Sequence, residues 1–197
     1  MDRSDIISYV LIFFIIYICF QIYMDSDYFN LKCIVSTKDG NKYCVREREN
    51  MSSSVDLLSI VTQRCKKVVD YLDEHHPSDE RVKRLKENFN PQKVNEILPT
   101  SEYTAYSENK GEKLAFCLSK DRNSDNLIDI NTLTFVALHE LAHIMTVSIG
   151  HTDEFWTNFK FLLKEADVAN VYKPVDYKND PVVYCGMNIT DNPLYDY

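Results

Sequence analysis

The hydrophobic pattern changes character along the chain. From Ile6 to Met24 it is unbroken: IISYVLIFFIIYICFQIYM runs for 19 residues without a charge. As a helix it spans about 28 Å, close to the hydrocarbon thickness of a bilayer. It ends in Gln21-Ile22-Tyr23-Met24-Asp25, without the small residues of a signal-peptide cleavage site. We therefore read residues 1–24 as an uncleaved N-terminal transmembrane anchor. Residues 25–50 are polar and turn-rich. Cys33 and Cys44 flank Lys38-Asp39-Gly40-Asn41, a hairpin turn signal, so this segment reads as a tether with a possible hairpin.

Residues 51–197 carry the pattern of a folded domain. Val55, Leu58, Val61, Cys65, Val68, Val69 and Leu72 recur at spacings of three and four, which predicts an amphipathic helix over 53–76. Pro77 stops it, and Ser78 can cap a second helix to about Phe89. Pro91 can open a short third helix ending near Pro99. Tyr103–Ser107 and Glu112–Leu118 then read as strands around Asn109-Lys110-Gly111. Asp129 or Asn131 can cap a largely apolar helix to about Ile149, with Gly150 as its stop. Thr152 caps the next helix, whose apolar face is Phe155, Phe159, Leu162, Leu163 and Ala166. The Tyr- and Pro-rich tail from Tyr172 is expected to wrap over the domain. Helices packed on a few strands give an α+β class.

Composition narrows the function. With 45% hydrophobic and 26% charged residues the chain is not disordered. A net charge of −8 argues against a nucleic-acid partner. The expected partners are a membrane and a protein or peptide substrate; the sequence leaves the oligomeric state open. Lys32, Lys38, Lys42, Arg46 and Arg48 follow the anchor and only Arg3 precedes it, a modest bias toward a cytoplasmic domain. The side of the membrane stays open. Cys19 lies in the anchor, which leaves Cys33, Cys44, Cys65, Cys117 and Cys185, an odd number. There is no C-x-x-C, so a structural zinc knuckle is not expected, and buried free thiols are the favoured state. Asn50-Met51-Ser52 and Asn188-Ile189-Thr190 match the glycosylation sequon, which matters only in a lumen.

The chemistry is concentrated in His139-Glu140-Leu141-Ala142-His143. On a helix, residues four apart share a face, so His139 and His143 can grip one Zn²⁺. Glu140 lies at the rim of the same site, where it can take a proton from an attacking water and pass it to a leaving amine. A helix this apolar would not carry two histidines and a glutamate without a partner. The third ligand is expected to be His151, brought back by the Gly150 turn; Glu154 and Glu165 are its rivals. His75 and His76, beside Pro77, are expected to face a helix end and solvent. Glu112–Leu118 is the candidate strand for binding a peptide by its edge. An oxyanion stabiliser is expected beside the metal, and Tyr172, Tyr177 and Tyr184 could each reach it.

His139-Glu140-Leu141-Ala142-His143, followed by Gly150-His151 and Phe155-Trp156, resembles the active-site signature of the WLM and SprT-like zinc metallopeptidases. The resemblance implies His139, His143 and His151 as zinc ligands, Glu140 as catalytic acid/base, and an aromatic pair packed beneath the site. It also implies a minimal zincin fold, with the active-site helix on a small sheet. The wider chain, through Leu98-Pro99-Thr100-Ser101-Glu102-Tyr103 and Tyr184-Cys185-Gly186-Met187, resembles uncharacterised metallopeptidase-like proteins of large DNA viruses. The leading expectation is a membrane-anchored zinc metallopeptidase. The alternatives are a catalytically silent zinc-binding membrane or virion scaffold, and a metal-independent helical adaptor.

Overall fold

The computed structural model describes residues 3–24, 31–98, 100–122 and 124–196. Helix α1 (Arg3–Met24) contains the uncharged run. It is long and apolar enough to cross a membrane, and none of its apolar window is buried in the protein.

Strands β1 (Lys32–Val35) and β2 (Lys42–Val45) form an antiparallel hairpin in which Cys33 faces Cys44. Tyr43 and Val45 enter the core. Helix α2 (Met51–His75) follows the predicted pattern, and its apolar stripe from Val55 to Leu72 is buried. Helix α3 (Glu80–Asn88) is capped by Asp79 rather than Ser78: the Asp79 carboxylate accepts the N–H of Arg81.

The third helix predicted from Pro91 does not form, although Pro99 itself lies outside the described residues. Asn90 accepts the N–H of Gln92, and the chain straightens into β3 (Val94–Glu96). This strand pairs in parallel with β5 (Lys113–Phe116), and β4 (Ala105–Glu108) pairs antiparallel on the other side of β5. The order β3-β5-β4 makes β5 the central strand. The predicted peptide-binding strand, Glu112–Leu118, is therefore already paired on both sides, and β4 holds the sheet edge instead. The β4–β5 turn sits tightly on the end of α3: a Cβ on Gly111 would lie 2.6 Å from the carbonyl oxygen of Asn88.

Helix α4 (Ile130–Met145) starts at Asp129, whose carboxylate accepts the N–H groups of Asn131 and Thr132. It stops at Met145, not near Ile149, and Thr146 is already extended. Helix α5 (Asp153–Val168) is capped by Thr152 as expected. The tail folds into the hairpin β6 (Val182–Tyr184) and β7 (Met187–Ile189). One core holds the fully buried Leu58, Phe116, Leu133, Phe155, Phe159 and Leu162, between α2, the sheet, α4 and α5. The class is α+β.

Free thiols are not the state of most cysteines. Cys33 is bonded to Cys44 and Cys117 to Cys185. Among the described residues Cys19 and Cys65 are free. Burial pushes the Cys65 thiol up to about 12, so it acts as a packing group.

Candidate metal centre

Twelve of the sixteen residues of α4 are buried. Its last turns place His139 and His143 on one face, with ring centroids 5.0 Å apart. The chain then leaves the helix, turns at Gly150 (φ +84°), and returns His151 to the same point. His151 Nε2 lies 3.0 Å from His139 Nε2. One nitrogen from each of the three rings falls within 4.8 Å of the others. Three imidazole nitrogens gathered in this way are a donor set that zinc takes in catalytic sites.

The rings share a floor. Phe155, fully buried, has its centroid 4.8 Å from His139, 4.4 Å from His143 and 4.7 Å from His151. Trp156 stands 5.7 Å from His151. Burial pushes the pKa of His139 down to about 3, and the charges of His143 and His151 reinforce this. Burial also lowers His143, to about 4, with help from His151 and Lys110. Both rings stay neutral with a lone pair to offer, the state a zinc ligand needs.

The segment carrying His151 is held from three sides. Lys110, in the β4–β5 turn, donates to the carbonyls of Thr146 at 2.9 Å and Ser148 at 2.8 Å, and to that of His143. Arg84 of α3 donates to the Met145 carbonyl. Glu154 accepts the N–H groups of Val147 and Ser148 and the Ser148 hydroxyl, and these bonds hold its carboxyl down at about 2. Glu154 thus shapes the turn and is not in the histidine cluster. Glu165 is also elsewhere, 3.2 Å from His76 Nε2. His76 therefore faces a carboxylate as well as a helix end, and His75 Nδ1 lies 2.9 Å from the Tyr71 carbonyl oxygen.

Glu140 is 5% exposed, and burial alone lifts its carboxyl to about 8. A cation on the imidazoles would oppose that rise. Glu140, His139, His143 and His151 line one cleft of about 880 Å³. The cleft is also lined by residues 103–110, which include β4, the strand at one end of the sheet, and by Tyr184, Met187 and Ile189 of the β6–β7 hairpin. Of the three candidate tyrosines, Tyr184 lines the cleft and donates to the Thr104 carbonyl. Tyr172 accepts from Asn192, and Tyr177 is buried in the core. The sequence reading missed Lys110, which looked like a turn residue; its three carbonyl acceptors come from a segment more than 30 residues away.

The WLM domain matches residues 40–189, from the β1–β2 turn to the end of β7. An uncharacterized protein of Acanthamoeba polyphaga mimivirus is 33% identical over 159 residues, covering 79% of this chain and 80% of that protein. An uncharacterized protein of Invertebrate iridescent virus 3 is 39% identical over 80 residues, 41% of this chain and 49% of its own length. The crystal structure of Wss1 from Saccharomyces cerevisiae superposes with a TM-score of 0.47 at 16% identity, covering 62% of this chain and 84% of that one. The match to the WLM domain and the relative in mimivirus place the chain in the WLM domain family, a metallopeptidase-like family.

Proposed function

We propose that this protein is a zinc-dependent peptidase held at a membrane by α1. The observation that carries the reading is the meeting of three imidazoles over Phe155, beside a Glu140 that among the described residues has no charged partner, in a cleft lined by the edge strand β4. His139, His143 and His151 would hold the ion; Glu154 and Glu165 are engaged elsewhere. Bound there, zinc would activate a water and polarise a peptide carbonyl. With a cation on the imidazoles opposing the effect of burial, Glu140 would stand as a carboxylate able to take the proton and return it to the departing amine. The edge of β4 offers backbone N–H and C=O groups that an extended peptide can pair with.

The anchor reading rests on the length and exposure of α1. The two cystines support a domain that works where disulfides persist, such as the exoplasmic side of a membrane or a virion surface. That opposes the modest cytoplasmic bias of the lysines and arginines, which begin at Lys32, eight residues beyond the helix. Protease protection of the full chain in sealed membranes tests it.

The activity test uses full-length protein in detergent, loaded with zinc and given unfolded polypeptide. Cleavage should stop on chelation and return with zinc. His139→Ala, His143→Ala and His151→Ala should each lose both zinc and cleavage. Zinc retained by His151→Ala would overturn its role as a ligand. Zinc-loaded wild type that cleaves nothing would overturn the enzyme reading.

A further inference from the structure

We propose that the β6–β7 hairpin is the specificity wall of the cleft, selecting a substrate segment with an apolar side chain, and that the Cys117–Cys185 bond holds this wall in place. The inference deepens the peptidase reading and rests on it.

In the hairpin, Val182 faces Ile189 and Tyr184 faces Met187. Directly paired residues, and those two apart, share one face of a ribbon. Tyr184, Met187 and Ile189 of that face all line the cleft. Val183 and Asn188 lie on the other face. The wall is therefore uniformly apolar along its length, with no charged side chain. Met187 is 51% exposed, a large apolar group turned toward the cleft. A charged substrate side chain set against this wall would lose water and gain no partner. An apolar one would bury its surface against Met187 and Ile189.

A two-stranded ribbon is marginal alone, so it needs fixing to act as a wall. Three attachments converge on it. The turn residues Cys185 and Gly186 adopt φ +52° and +80°, and their N–H groups donate to the carbonyls of Ser119 at 3.0 Å and Lys120 at 2.8 Å. The Cys117–Cys185 disulfide ties the turn to the residue that follows β5. Tyr184 reaches across to the Thr104 carbonyl, at the entrance to β4. The wall is thus tied to the sheet whose β4 residues also line the cleft.

The test compares peptides of one sequence in which a single position carries Leu, Phe, Lys or Glu. Wild type should favour the apolar members by about tenfold or more in kcat/KM. Met187→Glu combined with Ile189→Glu should shift the preference toward the Lys peptide while zinc content stays the same. Cys117→Ser with Cys185→Ser should raise KM and flatten the preference, again with zinc retained. Binding of the same peptides to Glu140→Gln protein needs no turnover. If that protein binds apolar and charged peptides alike, or if the double glutamate variant keeps the apolar preference, the wall proposal is overturned. If it binds apolar peptides selectively but wild type cleaves nothing, the wall stands and the peptidase reading fails. Unchanged KM and preference in the cysteine variant would overturn the role of the disulfide.

Discussion

Glu96 and Glu140 are both almost inaccessible, at 1% and 5% exposure, yet their surroundings are opposite. Glu96 accepts the backbone N–H of Arg46 and the guanidinium of Arg48, with the Arg46 side chain 3.6 Å away. Arg46 spends its remaining donors on the carbonyls of Ile97, Leu98 and Arg122. Burial raises the Glu96 carboxyl, and the two arginines push back. The cluster is closed and joins β2 to β3. Among the described residues no such donor engages Glu140; burial is the sole cause of its shift. One glutamate is buried with its counter-charges to fix an architecture. The other is buried without them, in a cleft, and its proton is left available. Uncompensated burial of that kind is a mark of a working site, and it opposes stability.

The comparison breaks most sharply at Glu140. Glu140→Gln keeps the shape and removes the basicity. Peptidase activity should fall by ~10²–10⁴-fold while zinc content and thermal stability hold. A variant that lost zinc would make Glu140 a ligand or a fold determinant. The matching change at Glu96 should do the reverse. Glu96→Ala leaves two arginines buried without their carboxylate, at a cost of about 3–5 kcal/mol, read from urea denaturation. The folded fraction should still bind zinc. Equal losses of stability at the two positions would erase the distinction.

That distinction was only half legible in the sequence. His139, Glu140 and His143 announce themselves because a helix converts four-residue spacing into a shared face. His151 could be placed because a glycine immediately precedes it. Glu96 gave no such sign. Its partners lie 48 and 50 residues away, and β3 is a three-residue strand that exists only through its pairing with β5. Local periodicity cannot see such a strand, so Pro91 invited a helix there. The 68-residue separation of Cys117 and Cys185 hid their bond for the same reason. The edge position of β4 followed from the β3 pairing, and was lost with it.

A third glutamate sharpens the comparison. Glu154 is partly exposed and carries a full set of donors from Val147 and Ser148. It acts on the site through the turn that delivers His151. Glu154→Gln keeps a side-chain acceptor but loses the charge-assisted bonds. Zinc affinity should weaken by about tenfold, the low end for groups that orient ligands. Competition with a chromophoric chelator measures it, and unchanged affinity would mean that the remaining contacts from Lys110 and Arg84 suffice.

The pH dependence of stability tests most directly whether Glu140 is unpaired. With no metal bound, its carboxyl sits at about 8 when folded against 4.5 when unfolded. Between those values the folded state holds a proton that the unfolded chain has released. Stability must therefore fall as pH rises from about 4.5 to 8. His139 and His143 act in the other direction, because their folded values are depressed to about 3 and 4. The unfolded chain takes up their protons below 6.5, so their contribution is lost as pH falls through that range. The two unfolded histidines are still half protonated at pH 6.5, but Glu140→Gln keeps both of them, so the difference between the two proteins isolates Glu140. One proton gives a slope of at most about 1.4 kcal/mol per pH unit. Chelated wild type in detergent should lose stability to urea across that window relative to Glu140→Gln, which has no proton to release. Parallel curves for the two proteins would mean that a donor compensates the Glu140 carboxylate in the metal-free fold, making it as paired as Glu96.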